Sequence, residues 1–209
     1  MAKKKTNISF IFKLLVLILG AVTIVSFFLP SFGSTDSSIE VKYSNCQMCF
    51  LSPKKAEEKA TEYTELATKS TIKGNSEEAK KYTAKAASYG IISSFKSEDF
   101  EGETSAVIGA WLHFGATIIS AVAIAVVILS LFKKGYNKAS IIALLTAMVF
   151  MICSLICGIS MLNTEIGLGI LKDDMNFRFG GVILGLISST LASISAIVPC
   201  FFNKKKKSK

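Results

Sequence analysis

Cys46 and Cys49, set three apart in Asn45-Cys46-Gln47-Met48-Cys49, are the most reactive arrangement in this chain of 209 residues. A Cys-x-x-Cys can close a small, reducible disulfide or hold a thiolate of depressed pKa. Thiols outside the cytosol tend to oxidise. A local structural disulfide is therefore expected here, with thiol–disulfide exchange as the sharper alternative. The pair can also offer two ligands to zinc or a soft metal, but a closed zinc site takes about four. Neither a second cysteine pair nor a loop histidine accompanies it, so no metal and no cofactor is expected. Cys153 and Cys157 lie one turn apart in an apolar run, badly placed to bond each other. Cys200 follows Pro199 beside a lysine-rich end, where reversible acylation competes with a plain apolar role.

The other chemical residue is His113, the single histidine. It interrupts an apolar run, and an ionisable group at membrane depth raises a functional question by default. No acid lies at that depth to pair with it. A neutral hydrogen bond to a serine or threonine of another helix is expected, with a proton or ligand site as the alternative. One histidine in an apolar run also excludes a serine–histidine–aspartate triad in the outer region. No nucleotide-binding glycine loop follows a strand; Gly167-Leu168-Gly169 is a loop pair. The expectation is a protein that is not an enzyme.

The elements that must carry these residues follow from hydropathy. The chain is 51% hydrophobic and 19% charged, with a mean hydropathy of +0.50. Four apolar runs, Ile8–Leu29, Ser105–Phe132, Ala139–Leu162 and Phe179–Phe202, each exceed the roughly 20 residues a span needs. In hydrocarbon such runs are helices, because a lone strand would leave its backbone unsatisfied. The expected fold is an all-α integral membrane protein, a bundle of four transmembrane helices. The first run is longer than a signal-peptide core, so a retained anchor is expected.

Charge gives the orientation. Lys3, Lys4 and Lys5, then Lys133, Lys134 and Lys138, then Lys204 to Lys207 and Lys209 flank the runs with no acid among them. All 15 acids lie elsewhere, twelve of them in residues 31–104 and the rest at Glu165, Asp173 and Asp174. Lysine bias faces the cytoplasm. A multi-pass plasma-membrane protein with both termini cytoplasmic is expected. Arg178 is the sole arginine among 24 basic residues, a lysine bias that points to an AT-rich bacterial genome. The net charge of +9 lies at these flanks and not in an aromatic-interleaved groove, so no nucleic-acid partner is expected.

Five segments result: residues 1–30 with the first span, 31–104 outside, 105–162 with two spans and a basic loop, 163–178 outside, and 179–209 with the last span and tail. In the outer segment, Ser38 to Tyr43 alternates loosely, as a short strand or extended chain. Pro53 suits a first helical turn. Ala56, Ala60, Tyr63 and Ala67 fall on one helical face. Lys73-Gly74-Asn75 reads as a turn, Ser76 as an N-cap and Gly90 as a stop. The expectation is an extracellular helical hairpin over 53–90, with Tyr63 and Tyr82 as candidate partner-binding residues. Ten lysines against twelve acids in 31–104 leave it nearly neutral.

Helices in lipid meet through small residues and hydrogen bonds. Gly181, Gly185, Ser189 and Ser193 form one such row, with Ile183, Leu186, Leu191, Ile194 and Val198 opposite. Ser105, Gly109, His113, Thr117, Ala121 and Ala125 form another. Helix packing is the expected role of both, with a substrate path as the alternative. Trp111 suits an interfacial anchor.

The stretch from Leu66-Ala67 through Gly74 to Tyr82 and Ala86 resembles one tetratricopeptide-type helix pair, a unit that buries a core only in arrays of about three. Through Cys46 and Cys49, the chain also resembles in layout the bacterial four-span oxidoreductases that pass electrons from exported proteins to quinone. That likeness implies redox exchange at the two cysteines. The chain departs from it in a longer first outer loop, no cysteine pair in the second, and no arginine beside Cys49. The order of short tail, long first loop and short second loop resembles claudin-type junction proteins in topology alone. The expected function is non-enzymatic: a scaffold, accessory or sensing subunit, embedded in the lipid bilayer, that binds a protein partner through its hairpin or its membrane helices. A thiol–disulfide oxidoreductase and a small transporter or channel subunit are the alternatives.

Overall fold

The structure, a computed structural model, describes residues 2–35, 40–96, 103–132, 137–162, 176–178 and 180–204. In chain order these form α1 (Ala2–Ser26), β1 (Pro30–Thr35), β2 (Glu40–Ser44), α2 (Asn45–Phe50), α3 (Pro53–Ile72), α4 (Ser76–Ser94), α5 (Glu103–Phe132), α6 (Asn137–Leu162), β3 (Asn176–Arg178) and α7 (Gly180–Lys204). The protein is nearly all helical, as a membrane protein with helical spans must be.

Three helices are long and apolar enough to cross a bilayer, over Ser105–Leu131, Lys138–Ser160 and Gly180–Cys200. In the first of the four expected spans, α1 ends at Ser26, with an apolar stretch over Phe10–Ser26 among the described residues, and Phe27 to Leu29 leave the helix in a turn. Residues 163–175, and the lysines at 133, 134, 205–207 and 209, lie outside the described residues.

A small sheet is added to the helices. Its order is β2-β1-β3. β1 pairs antiparallel with β2, from Phe32 opposite Tyr43 to Thr35 opposite Glu40, with an irregularity between Pro30 and Phe32. On its other edge it pairs with β3, Gly33 opposite Arg178 and Thr35 opposite Asn176. Residues 30–44 and 176–178, far apart in sequence, thus share one sheet. The alternating stretch around Ile39 to Tyr43 is a strand over Glu40–Ser44.

The chain divides into two compact units. One comprises 1–26, 115–152 and 183–209; the other comprises 27–114 and 153–182. In the first unit, Val16, Ala123, Val127, Leu144 and Ala192 form the buried apolar centre. Thr23 Oγ1 and Ser188 Oγ lie 2.8 Å apart, joining α1 to α7. Outward on α7 stand Ile183, Ile187, Leu191 and Ile194, each about half exposed. That is the stripe a lipid-facing helix needs.

In the second unit, Phe27, Tyr43, Met48, Cys49, Ala56, Ile92 and Phe95 form the core with Ala106 and Ala110 of α5. α3 and α4 pack against each other. Ser52 caps α3 ahead of Pro53, and Gly74 takes a φ of +73° between the two helices, a backbone that suits glycine. The cap of α4 is Asn75, not Ser76. Gly90 does not stop α4, which runs on to Ser94. The helix cost of glycine, roughly 1 kcal/mol, is smaller than the gain from burying Ile92 and Phe95 beyond it, both 5% exposed or less.

Candidate functional site

Ser44 starts the site. Its hydroxyl accepts the Gln47 N–H at 3.3 Å, and Gln47 Oε1 accepts the Ser44 N–H at 2.9 Å. This reciprocal capping box nucleates α2, the one-and-a-half-turn helix that carries both cysteines. The signal was present in the sequence as Ser44-x-x-Gln47. Cys46 N–H also donates to the Phe27 carbonyl at 3.2 Å. At the other end, Lys96 Nζ donates to the carbonyls of Leu51 at 2.7 Å and Cys49 at 3.3 Å. An ammonium there satisfies carbonyls that a helix end leaves bare.

The expected disulfide is corrected by the structure: Cys46 and Cys49 are free thiols. Both sit on one short helix, Cys49 turned into the core and Cys46 half-buried. Burial pushes the Cys49 thiol up to about 12, with Lys96 pulling the other way and Cys46 adding to the rise. Burial also raises Cys46, and the same burial lowers Lys96. A thiol is a nucleophile and a ligand only as thiolate. This environment therefore protects the sulfurs in place of activating them. Among the described residues, no three His, Cys, Asp or Glu side chains converge to hold a metal.

His113 is fully buried, and its Nδ1 lies 2.8 Å from Asn45 Nδ2. With the amide as donor, Nδ1 accepts and the ring proton sits on Nε2. One partner is thus an asparagine of α2. Phe27 meets the imidazole edge-on at 5.5 Å. Around it Phe50, Trp111 and Phe114 make T-shaped contacts of 5.1–5.9 Å. Phe28, Phe50 and Trp111 remain about half exposed or more. Amphipathic and aromatic rings gathered where a span ends suit a membrane–water interface. Sequence reasoning missed Asn45.

Of the small-residue rows, Gly109 lies against α6. A Cβ there would meet Cys157 Cβ at 3.0 Å and the Ser154 carbonyl at 3.3 Å. Ser154 Oγ donates to the Gly109 carbonyl at 2.7 Å. Thr117 is buried, as are Gly181, Gly185, Ser189 and Ser193 on α7. Ala121 and Ala125 are exposed. A row at spacing four rotates about 40° per step on a helix of 3.6 residues per turn. The buried face of α5 therefore continues through Ala116, Ser120, Ala123 and Val127 instead.

Tyr63 and Tyr82, on different helices, come together. Tyr63 stacks on Tyr82 at 6.1 Å and on Tyr89 at 5.6 Å, nearly parallel to the latter at 3°. Lys85 Nζ stands 4.9 Å from the Tyr63 ring centre and Lys59 Nζ 5.3 Å from that of Tyr89. Tyr82 Oη donates to Glu78 Oε1 at 3.2 Å, a bond that raises the phenol's pKa. Glu78 also receives Asn75 Nδ2 and Ser70 Oγ, so the turn and the tyrosine stack are tied through one carboxylate. Tyr89 is legible in the sequence as part of the α4 stripe with Tyr82, whereas Lys59 and Lys85 were not singled out; their spacings, four before Tyr63 on α3 and three after Tyr82 on α4, were the available signal.

The chain matches no protein-family model, no curated protein and no solved structure.

Proposed function

We propose that this protein is a non-enzymatic, multi-pass accessory or scaffolding subunit. It docks a protein partner on the face of α3 and α4 that carries Tyr63, Tyr82 and Tyr89. In this reading α1 is a fourth span, its apolar stretch at the short end of what crosses a bilayer. Both termini then lie on the lysine-rich, cytoplasmic side, and α3–α4 project outside as a hairpin.

The observation that carries the reading is the tyrosine stack with Lys59 and Lys85 over its rings. Aromatic rings are the residues that anchor protein interfaces. Here they are pre-ordered by one another and by Glu78, which lowers the entropy cost of docking. The neighbouring cysteine pair supports the non-enzymatic side of the reading. A buried thiol raised to about 12 is a poor exchange nucleophile at neutral pH.

The test is photo-crosslinking in intact cells. A photoreactive residue at Lys85 should capture one partner, and Tyr82→Ala with Tyr89→Ala should abolish the adduct. Capture that survives both changes, or equal capture from Lys55 at the far end of α3, would refute the docking face. Labelling of single cysteines introduced at Ser34 and Ser208 from outside should mark only the former; labelling of both would refute the four-span topology.

A further inference from the structure

Lys13 is the only charge in the apolar stretch of α1, and it does not turn out to solvent. Its ammonium is half-buried and donates to the Ser130 carbonyl near the end of α5 at 2.8 Å. It lines a narrow, open recess with Phe12, Val127, Ser130, Ser140 and Ser195. Residues from α1, α5, α6 and α7 thus meet there, with Ser130 and Ser140 within a turn of the ends of α5 and α6 and Lys13 about one turn inside the apolar stretch of α1.

A helix-end carbonyl takes the ammonium's proton in a hydrogen bond and meets its charge only in part. A partly buried cation calls for an anion. Residues 1–26, 115–152 and 183–209, which make up this unit, contain no aspartate or glutamate. At the depth of a helix end in a bilayer, the anion present at high concentration is the lipid phosphate. Basic pockets between spans on the cytoplasmic side are built to take such head groups.

We propose that this recess seats the phosphate of an anionic phospholipid, with Lys13 as the charged contact and the serines of α5, α6 and α7 as its polar lining. The acyl chains would continue along the exposed aliphatic faces of the helices. The site rests on these helices lying in a bilayer, and is independent of the partner-docking role of α3 and α4.

The test is lipid retention by the purified full chain in mild detergent, read by native mass spectrometry after mixing with phosphatidylglycerol or phosphatidylcholine. The chain should retain phosphatidylglycerol preferentially. Lys13→Met should reduce that preference roughly fivefold, and Lys13→Arg should preserve it. Ser195→Leu fills the recess without touching the charge and should reduce it as well, which covers the case of a Lys13→Met protein that does not fold. Changing Lys205, Lys206 and Lys207 to glutamine should leave it in place. No preference in the unaltered chain would overturn the proposal. So would a preference lost with the tail lysines but kept in Lys13→Met and Ser195→Leu. Displacement of the lipid by millimolar inorganic phosphate would assign the site to a free anion and overturn the lipid. Photo-crosslinking from Lys85 should be the same in all these variants, so the two readings fail separately.

Discussion

Between α3 and α4 the contacts are made by aromatic rings and ammonium groups, whereas α1 meets α7 through two hydroxyls and α5 meets α6 through the bare backbone of a glycine. On the four-span reading proposed above, the difference follows from the solvent. In water a helix gains by burying any large apolar surface, so a seam can be wide and built from tyrosine. In lipid a large side chain gains nothing by turning inward, and close approach with hydrogen bonds must do the joining. The same residue types therefore read oppositely in the two regions: Ile183 and Ile194 face out, while Ile92 is fully buried.

The largest expected effect tests where α2 belongs in this contrast. Cys49 is packed like a water-soluble core residue, its thiol raised from 9.0 to about 12. At pH 8 its thiolate fraction should be about a thousandfold below that of an ordinary cysteine. Timed alkylation with mass spectrometry should find Cys46 modified long before Cys49; equal rates would place α2 outside the core. The sign for stability follows. The folded pKa lies above the unfolded one, so this contribution is complete below pH 9 and is lost as pH rises toward 12. Cys49→Ala should flatten that alkaline loss.

Next in size is the glycine contact. Gly109→Leu forces side-chain atoms into Cys157 and the Ser154 carbonyl, and should cost about 3 kcal/mol in detergent unfolding. Leucine at Gly90, where an added Cβ meets nothing within 4 Å, should cost little or stabilise. His113→Ala strands the Asn45 amide in a buried site and should cost about 2 kcal/mol. Replacing both partners with leucine should cost less than the sum of the single changes; strict additivity would show that the two side chains do not bond. Asn75→Ala removes the α4 cap, a loss of about 1 kcal/mol by thermal unfolding. Thr23→Val, which deletes the hydroxyl pair between α1 and α7, should cost only about 0.6 kcal/mol. A larger loss there than at Asn75 would reverse the comparison.

How legible each part was in the sequence follows the range of the forces involved. Apolar runs write the long helices directly, because hydrocarbon leaves the backbone no other choice. Pro53 and Gly74 fixed the start of α3 and the turn after it, since each acts on its own backbone. The end of α4 was misread at Gly90 because Ile92 and Phe95 act through tertiary burial. Asn45 and His113 stand far apart in sequence, and neither type announces the other. β3 has three residues, too few for any alternation, and it exists only because β1 offers an edge. The tyrosine face was half legible. Tyr63 and Tyr82 fell on the right faces, while the contribution of Tyr89 depended on how the two helices lie together.

The pairing of β1 on both edges has a consequence for biosynthesis. A membrane chain is inserted from its N-terminus onward, and Gly33 leaves the ribosome long before Arg178. β2 can close on β1 almost at once, but the other edge must stand open while the intervening spans are threaded. An open edge invites pairing with foreign strands. The sheet is therefore finished only once the chain has been delivered as far as Arg178, and a chain truncated before Asn176 would carry that unpaired edge permanently.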